Sequence, residues 1–482
     1  MRKWGLTVAA AFLLGGCAVG PDYERPDFDL PEDWPEHVLL SAEEQEAWQQ
    51  WWTRYQDPQL DALVARALDD NLDVRLQVQR IQESRARLGL AEANRLPTLD
   101  AQAEAARERQ PEGLSPIPGG GGTDNLFSIT GILGYELDLW GRLARQEEAA
   151  EAFLQQSRFS HEAVRLNVVA DVVATYVNLR SAQEQLAIAE KTVESRERTL
   201  ELEQIRYEGG QTDALVLRQS VAELETTRAR IPSLRQQVQT LEGALAVLVG
   251  MSPRELLDEL DFGDRRLADL ELPAHVPAVM PSELLRRRPD IRAAEAELMA
   301  STAEIGVAEA DRLPRLNLMG FLGTAATETS DLFTRSAETW GVGATVAGPL
   351  FDFGRARARV ETAEALRDQA ETRYAMTMTQ AFREVRDALV LYEATDERVG
   401  AVRRQVQAIQ ETRDLAEIRY EEGFTGFIEL LDAERALLDA ELALSEALRD
   451  RLNATATLFK AMGGGWDGER SAPPHAEARV ED

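Results

Sequence analysis

The chain carries one long sequence pattern twice. Residues 419–425 read Arg-Tyr-Glu-Glu-Gly-Phe-Thr, and residues 206–212, which lie 213 positions earlier, read Arg-Tyr-Glu-Gly-Gly-Gln-Thr. Other landmarks keep nearly the same separation: 140–142 with 353–355, 91–97 with 308–314, and 71–74 with 288–291. Because four landmarks recur in one order, we expect most of the chain to be two copies of one structural unit.

Hydrophobic spacing predicts the same plan of elements in each copy. The first copy is predicted to cover residues 58–250, with helix to Asn94, two strands around a Gly/Pro-rich loop at 111–125, and helices at 142–207 and 213–248. The second copy is predicted to cover 281–466, with helix at 281–312, strands at 316–326 and 341–350, and helices at 355–420 and 427–462. Residues 251–280 should link the copies, and residues 467–482 should form a disordered tail.

The amino terminus has the features of a bacterial lipoprotein signal. Positively charged residues precede an apolar run at 6–14, which is too short to span a bilayer as a helix. The run ends in Leu-Gly-Gly before Cys17, the one cysteine of the chain. We therefore expect residues 1–16 to be a signal peptide and Cys17 to be acylated, the alternative being an ordinary signal peptide with an incidental cysteine. The prolines in residues 17–57 predict an extended segment.

Composition and motifs argue against several classes of function. A formal net charge of −31 would repel nucleic acid phosphates. No Walker loop, nucleophile elbow or zinc motif is present, and the four histidines are scattered without ligand spacing. We expect no enzyme activity, no cofactor and no metal site.

The predicted elements suggest a membrane channel. Four strands cannot close into a barrel, and an open sheet edge cannot face lipid because its backbone polar groups would be unpaired. Several chains must therefore share a barrel, and three would supply twelve strands, although closure alone also permits dimers or tetramers. Helices of about 100 Å are far longer than a bilayer requires, so they should cross another compartment, with their glycine turns farthest from the strands.

Short motifs add a resemblance to a known family. These motifs are the lipobox, the duplicated Arg-Tyr-Glu-x-Gly and the segments 19–23, 51–52, 287–291, 431–433 and 463–466. Through them the chain resembles the TolC-like outer membrane efflux factors, lipoprotein branch, over roughly residues 12–466. It implies a mainly helical protomer with a small antiparallel β part. In the trimer, a twelve-stranded outer-membrane β-barrel would continue into a periplasmic α-helical barrel.

The same resemblance implies partners and a function. The expected partners are two further copies of the chain, a periplasmic adaptor (membrane fusion) protein, an inner-membrane RND-type pump and outer membrane lipid. The expected function is a passive exit duct for small molecules. An exporter of a type I protein-secretion system is the first alternative, and a non-conducting periplasmic coiled-coil lipoprotein is the second. The strand hairpins argue against the second, and the cargo stays open.

Two sets of residues are candidate functional sites. The turns are predicted to be helix-hairpin caps, and by resemblance they also dock the adaptor, through Arg206, Tyr207, Gly210, Arg419, Tyr420 and Gly423. The second set is the periplasmic gate that the resemblance assigns to Ile428, Asp432 and Arg435. Asp432 and Arg435 are spaced to pair on one helix face, and the first copy has Gln219 and Ala222 in their places. The alternative reading of these residues is a surface ion pair beside a core isoleucine.

Overall fold

Both copies fold into the same order of elements. The computed structural model describes residues 18–28, 50–110, 122–257, 261–263, 265–271 and 285–466. Cys17, the predicted signal peptide and the predicted tail lie outside these residues. In the first copy the elements are α1 (Pro58–Asp70), α2 (Leu72–Asn94), β1 (Thr98–Gln110), β2 (Gly122–Leu137), α3 (Arg142–Glu208), α4 (Ala214–Arg228) and α5 (Ile231–Leu248).

In the second copy the last helix is continuous and takes the place of both α4 and α5. Its elements are α6 (Pro289–Ala310), β3 (Arg315–Ala326), β4 (Glu338–Ala347), α7 (Arg355–Glu421) and α8 (Phe427–Ala461). α3 and α7 each contain 67 residues, and each is the next element after the second strand of its copy. The prediction of a mainly helical fold with a small antiparallel sheet is confirmed. No helix in the described ranges is both long and apolar enough to cross a membrane.

The chain divides into two compact units. Of the described residues, the first unit contains those within 1–27, 80–158 and 293–375, and therefore holds the four strands. The second unit contains the described residues within 28–79, 159–292 and 376–482, and holds both glycine turns of the repeat.

The four strands form one antiparallel sheet in the order β1-β2-β3-β4. One row of directly opposite residues across the sheet is Leu99, Leu133, Gly320 and Val342. Because directly opposite residues share a face, this row fixes the two faces of the whole sheet. β1 and β4 are the edge strands, so each presents one unpaired backbone edge within the described chain.

The two faces of the sheet differ in character. The face that carries the Leu99 row is largely apolar and open, with exposed Leu99, Leu133, Leu322, Trp340, Val342 and Val346. The opposite face carries most of the polar strand residues, including Asp100, Gln102, Glu104, Thr130 and Asn317. An open apolar face of this kind requires a partner or a lipid environment.

Two predicted helices are interrupted. The pattern from residue 58 to Asn94 breaks at Asn71, because its backbone is extended and its Oδ1 accepts hydrogen bonds from the N–H groups of Asp73 and Val74. The predicted helix 213–248 breaks between α4 and α5, where Pro232 in the first turn of α5 lacks the N–H that an unbroken helix needs.

Three other boundaries differ from the prediction. The helix predicted over 281–312 is interrupted once: residues 285–287 are helical, Arg288 is not, and α6 begins at Pro289. The break lies there because a residue that precedes a proline avoids the helical region, while proline itself suits the first helical position. Residues 281–284 lie outside the described residues. β2 begins at Gly122, inside the predicted loop, since the ladder to β1 continues to that point. β4 spans Glu338–Ala347 instead of 341–350, and Gly348-Pro349 follows its end.

The core of the second unit contains part of the segment that was predicted to be extended. Residues Trp51–Tyr55 form a 3-10 helix, and Trp51 and Tyr55 are fully buried. The Trp51 ring stacks on Phe459 at 5.3 Å, and the Tyr55 hydroxyl donates to the Leu452 carbonyl at 2.8 Å. Aromatic burial against α8 therefore gives this segment a regular structure.

In the first unit, the start of the described chain is held by ion pairs. The Arg145 guanidinium lies 2.7 Å from Asp22, and the Arg25 guanidinium lies 2.5 Å from Glu295. Gly20 packs so closely on Gly306 that a side chain at Gly20 would collide with its backbone. The segment that follows Cys17 thus has a fixed position on this unit.

Candidate gate and tip

The two glycine turns have the same backbone geometry. At the end of α3 the Gln211 N–H donates to the Arg206 carbonyl at 2.8 Å, and the Gly210 N–H donates to Tyr207 at 3.0 Å. At the end of α7 the Phe424 N–H donates to Arg419 at 2.8 Å, and the Gly423 N–H donates to Tyr420 at 3.1 Å. Both are Schellman caps, and the central glycines have φ of 74° and 77°, which an L side chain rarely adopts.

A buried carboxylate joins the two turns. Glu203 is fully buried and accepts a hydrogen bond from the Tyr420 hydroxyl at 2.8 Å. The Arg206 guanidinium lies 3.1 Å from the same carboxylate and 5.0 Å from the centre of the Tyr420 ring. We call Glu203, Arg206 and Tyr420 the Glu203 cluster. Burial, together with the Glu203 hydrogen bond, raises the pKa of Tyr420 to about 12, so this hydroxyl remains a donor at neutral pH.

The predicted gate pair has a third and closer member. Arg435 Nη1 lies 3.6 Å from Asp432 Oδ1, but Arg435 Nη2 lies 2.5 Å from Oε2 of Glu223 and its Nε lies 2.8 Å from the same atom. The hydrogen bond to Glu223 raises the pKa of Arg435. An acid of α4 in the first copy therefore binds the arginine of α8 in the second copy.

Glu223 also binds a buried arginine of α3. Its Oε1 lies 2.5 Å from Arg196 Nη1, and both side chains are less than a tenth exposed. The same Arg196 nitrogen donates to the Glu223 carbonyl at 3.0 Å and to the Thr227 hydroxyl. Burial lowers the pKa of Arg196, and the Glu223 charge opposes that shift. We call Arg196, Glu223, Asp432 and Arg435 the Glu223 cluster, which connects α3, α4 and α8.

A second acid of α8 lies close to this cluster. Burial raises the pKa of the Glu434 carboxyl, and the nearby charges of Arg196 and Arg413 oppose the shift. Deleting the charge of Glu434 would therefore relieve a desolvation cost at neutral pH.

The predicted gate and docking residues are exposed in the single chain, except for Arg206 and Tyr420, which are half-buried. Asp432 is 68% exposed in the single chain, Ile428 is 46% exposed, and Tyr207 is 43% exposed. Tyr420 and Arg206 instead contact each other and the buried Glu203. In the described part of the chain no group of acidic, histidine or cysteine side chains is arranged to hold a metal ion.

Sequence reasoning missed Arg196, Glu203 and Glu223. Asp432 and Arg435 were noticed because the first sequence repeat has no ionisable residue at the matching positions. Arg196, Glu203 and Glu223 likewise have no ionisable counterpart in the second repeat. At the separation of 213 residues, the second copy has Ile409, Ala416 and Ala436 in their places. A search for ionisable residues present in only one copy would have found all three.

A family comparison gives this geometry its context. The model of the family described as "Outer membrane efflux protein" matches residues 63–251 and 280–464, which is most of the chain. The chain belongs to the outer membrane efflux protein family. Its second matched segment contains the predicted gate residues and Gly423, and its first contains Glu203, Glu223 and Gly210.

Relatives cover the chain almost from end to end. The outer membrane protein OprJ of Pseudomonas aeruginosa is 35% identical over 485 residues, covering 99% of this chain and 100% of the relative. The toluene efflux pump outer membrane protein TtgF of Pseudomonas putida is 33% identical over 489 residues, with the same coverage of both chains.

Solved structures agree with the fold. The outer-membrane channel OprN superposes with a TM-score of 0.84 at 32% identity, covering 93% of this chain and 100% of that one. The open state of the MtrE outer membrane channel of Neisseria gonorrhoeae gives 0.80 at 29% identity, covering 93% and 98%. The predicted resemblance to outer membrane efflux proteins is confirmed, and the chain is an outer membrane efflux channel of a Gram-negative bacterium. Its family is one of efflux-pump components and not one of enzymes.

Proposed function

We propose that three copies of the chain form a passive exit duct for small molecules, with no catalytic activity of its own. The observation that carries the proposal is the four-stranded sheet, which has two unpaired edges and one open apolar face. Joining β1 of one copy to β4 of the next removes every unpaired edge, and three copies give twelve strands, within the range of outer-membrane barrels. The apolar faces of the three sheets then meet lipid.

The length of the helices supports a role for them beyond the membrane. A continuous helix of 67 residues has an axis of about 100 Å, several times what a bilayer needs. In this proposal α3 and α7 cross the periplasm and carry the glycine turns towards the inner membrane. There a periplasmic adaptor and an inner-membrane RND-type pump deliver the cargo. Acylation of Cys17 adds a lipid anchor in the outer membrane.

We assign the resting constriction to Ile428, Asp432 and Arg435, held by Glu223. Exposed Asp432 repeats three times in a trimer, so the constriction favours cations. Arg435 is bound by Glu223, whose second oxygen is bound by buried Arg196. Opening the channel by moving α8 away from α4 would have to break this contact. The Glu223 cluster is therefore the element that keeps the channel closed.

Adaptor docking is assigned to the exposed groups around the two turns. Tyr207, Leu215 and Phe424 are large apolar side chains that are each more than two fifths exposed. The other predicted docking residues, Arg206, Gly210, Arg419, Tyr420 and Gly423, shape the turns that present them. Apolar side chains on rigid turns suit a protein partner.

Two measurements test the proposed function. Mild detergent should extract a trimer, and a monomer that stays soluble without detergent at full helicity would contradict the proposal. In planar bilayers the wild-type trimer should conduct poorly, and the Asp432→Ala, Arg435→Ala double variant should conduct more with weaker cation selectivity. If conductance and selectivity do not change, these residues are surface groups and not a gate. Identifying which adaptor and pump co-purify separates efflux from protein secretion.

A further inference from the structure

The two edge strands carry opposite charges at the same end of the sheet. Arg107 and Arg109 lie near the end of β1, where the chain enters the loop before β2, and Glu338 is the first residue of β4. Both positions are at the end of the sheet that carries the strand-to-strand loops. The helices begin and end at the opposite end of the sheet.

The register places these charges on the apolar face. Arg107 lies opposite Asn125 and Arg109 opposite Thr123, in the same alternation as Leu99 opposite Leu133. Glu338 lies opposite Thr324, in the same alternation as Val342 opposite Gly320. On this face the remaining residues of the two edge strands are uncharged: Leu99, Ala101, Ala103 and Ala105 in β1, and Trp340, Val342, Ala344 and Val346 in β4.

Within the described residues, neither the two arginines nor Glu338 has an ion-pair partner. The residues directly opposite all three on the neighbouring strands are neutral. Charges that stand on the lipid-facing side of a barrel strand without a partner are costly unless they lie beyond the hydrocarbon. The described residues therefore leave two cations and one anion on the edge strands, where a strand of a neighbouring chain can neutralise them.

We infer that Arg107 and Arg109 of one copy pair with Glu338 of the next copy at each seam of the trimer. This inference rests on the proposed function, because β1 meets β4 only when copies join. Directly opposite residues of antiparallel strands share a face, so every register that keeps the apolar face continuous places Glu338 on the same face as the two arginines. All three residues lie at the loop end of the sheet. The arginines are two residues apart, about 7 Å along the strand, so a seam that aligns the loop ends of β1 and β4 places Glu338 directly or diagonally opposite one of them.

The seam pair has a consequence for assembly. A shift by one residue is already opposed, because it would place the apolar face of one chain beside the polar face of the next. Shifts by an even number of residues keep the faces aligned, and the larger of these shifts separate the opposite charges. The three seam pairs thus select the register in which the copies close. The seam pairs add a preference for one register that backbone hydrogen bonds cannot supply, because those bonds do not depend on which side chains are present.

Cysteine cross-linking tests the juxtaposition directly. The one native cysteine is Cys17, so introduced pairs can be followed after its replacement by Ser. Trimers carrying Glu338→Cys with either Arg107→Cys or Arg109→Cys should cross-link between chains with a short thiol-specific reagent in at least one combination. The matched control is Glu338→Cys with Glu108→Cys, because Glu108 lies between the two arginines but points to the opposite face. It should stay uncross-linked.

A charge exchange tests the pairing itself. Arg107→Glu with Arg109→Glu should lower the temperature at which the detergent-resistant trimer dissociates, and adding Glu338→Arg should restore most of the loss. No cross-link in either combination while the trimer persists by size would overturn the seam inference alone. Absence of any trimer would instead contradict the proposed function. If the arginine variants weaken the trimer only in the presence of lipopolysaccharide and Glu338→Arg does not restore it, lipid phosphates are the partner and the seam pair is wrong.

Discussion

The two glycine turns share a backbone and differ in their charges. Both end a 67-residue helix in a Schellman cap, and both caps place a glycine at positive φ. Around them the first copy supplies Arg196, Glu203 and Glu223, while the second copy supplies Asp432 and Arg435. The duplicated backbone gives the channel its framework. Residues that differ between the two sequence repeats form the contacts that join one repeat to the other within a chain.

The largest effect should come from Glu223→Ala. The substitution leaves buried Arg196 and half-exposed Arg435 without their shared carboxylate. Removing one partner of a buried ion pair costs about 3–5 kcal/mol, so α4 and α8 should separate and resting conductance should rise. The matched control is Glu225→Ala on the same helix, because Glu225 is 61% exposed and pairs only at the surface. Equal conductance in the two variants would contradict this role for Glu223.

The turns and strands could be predicted from the sequence, whereas the helix breaks could not. Glycine spacing identified both turns, because a cap of this kind requires positive φ at one position. The strand alternation identified the sheet and its apolar face. The breaks at Asn71 and before Pro232 were missed, because the hydrophobic spacing continues across them while a side-chain cap and a missing N–H interrupt the helix.

The partners of the predicted gate residues could be found only from the structure. Asp432 and Arg435 are close in sequence, so their pairing could be predicted, whereas Glu223 lies more than two hundred residues from Arg435. Sequence spacing carries no information about a contact between α4 and α8. The same reason hid the contact between Glu203 and Tyr420.

A smaller effect is expected at the tip from Glu203→Ala. The Tyr420 hydroxyl and the Arg206 guanidinium lose their buried acceptor, which should cost about 1–3 kcal/mol. Hydrogen exchange at the last turns of α3 and α7 should accelerate, while resting conductance changes less than in Glu223→Ala. Glu208→Ala, at the exposed end of the same helix, serves as the control. Unaltered exchange at both turns would show that the cluster does not join them.

Because the two glycine turns share one backbone geometry, substituting their central glycines should destabilise both turns equally. Gly210→Ala and Gly423→Ala should each destabilise their turn by about 1 kcal/mol, because both place an L side chain at positive φ with open space around it. Gly209→Ala should be tolerated, since Gly209 has no positive φ. Hydrogen exchange at the two turns measures the costs, and a much larger cost at one turn would show that their backbones are not equivalent.

The smallest effect concerns pH. Burial raises the pKa of Glu434 in the folded state above its value in the unfolded state. The folded state therefore gains stability from protonated Glu434 below the unfolded-state pKa, and this stability is lost as pH rises through the folded-state pKa. Glu434→Gln should therefore protect the start of α8 from exchange at neutral pH, and the gain should vanish below about pH 4, where the wild-type carboxyl is protonated. The charged groups around Glu434 are Arg196, Arg413, Glu417 and Glu223. A gain that persists at low pH would assign the effect to packing.

The contact between Glu223 and Arg435 is the central claim, and a double-mutant cycle on resting single-channel conductance tests it most directly. Glu223→Gln, Arg435→Gln and the double variant keep side-chain length while removing charge. If the two residues hold the channel closed through each other, the double variant should conduct no more than the more open single variant. If the two effects on the free energy of opening simply add, the residues act independently. The contact between the two sequence repeats of one chain is then not what closes the channel.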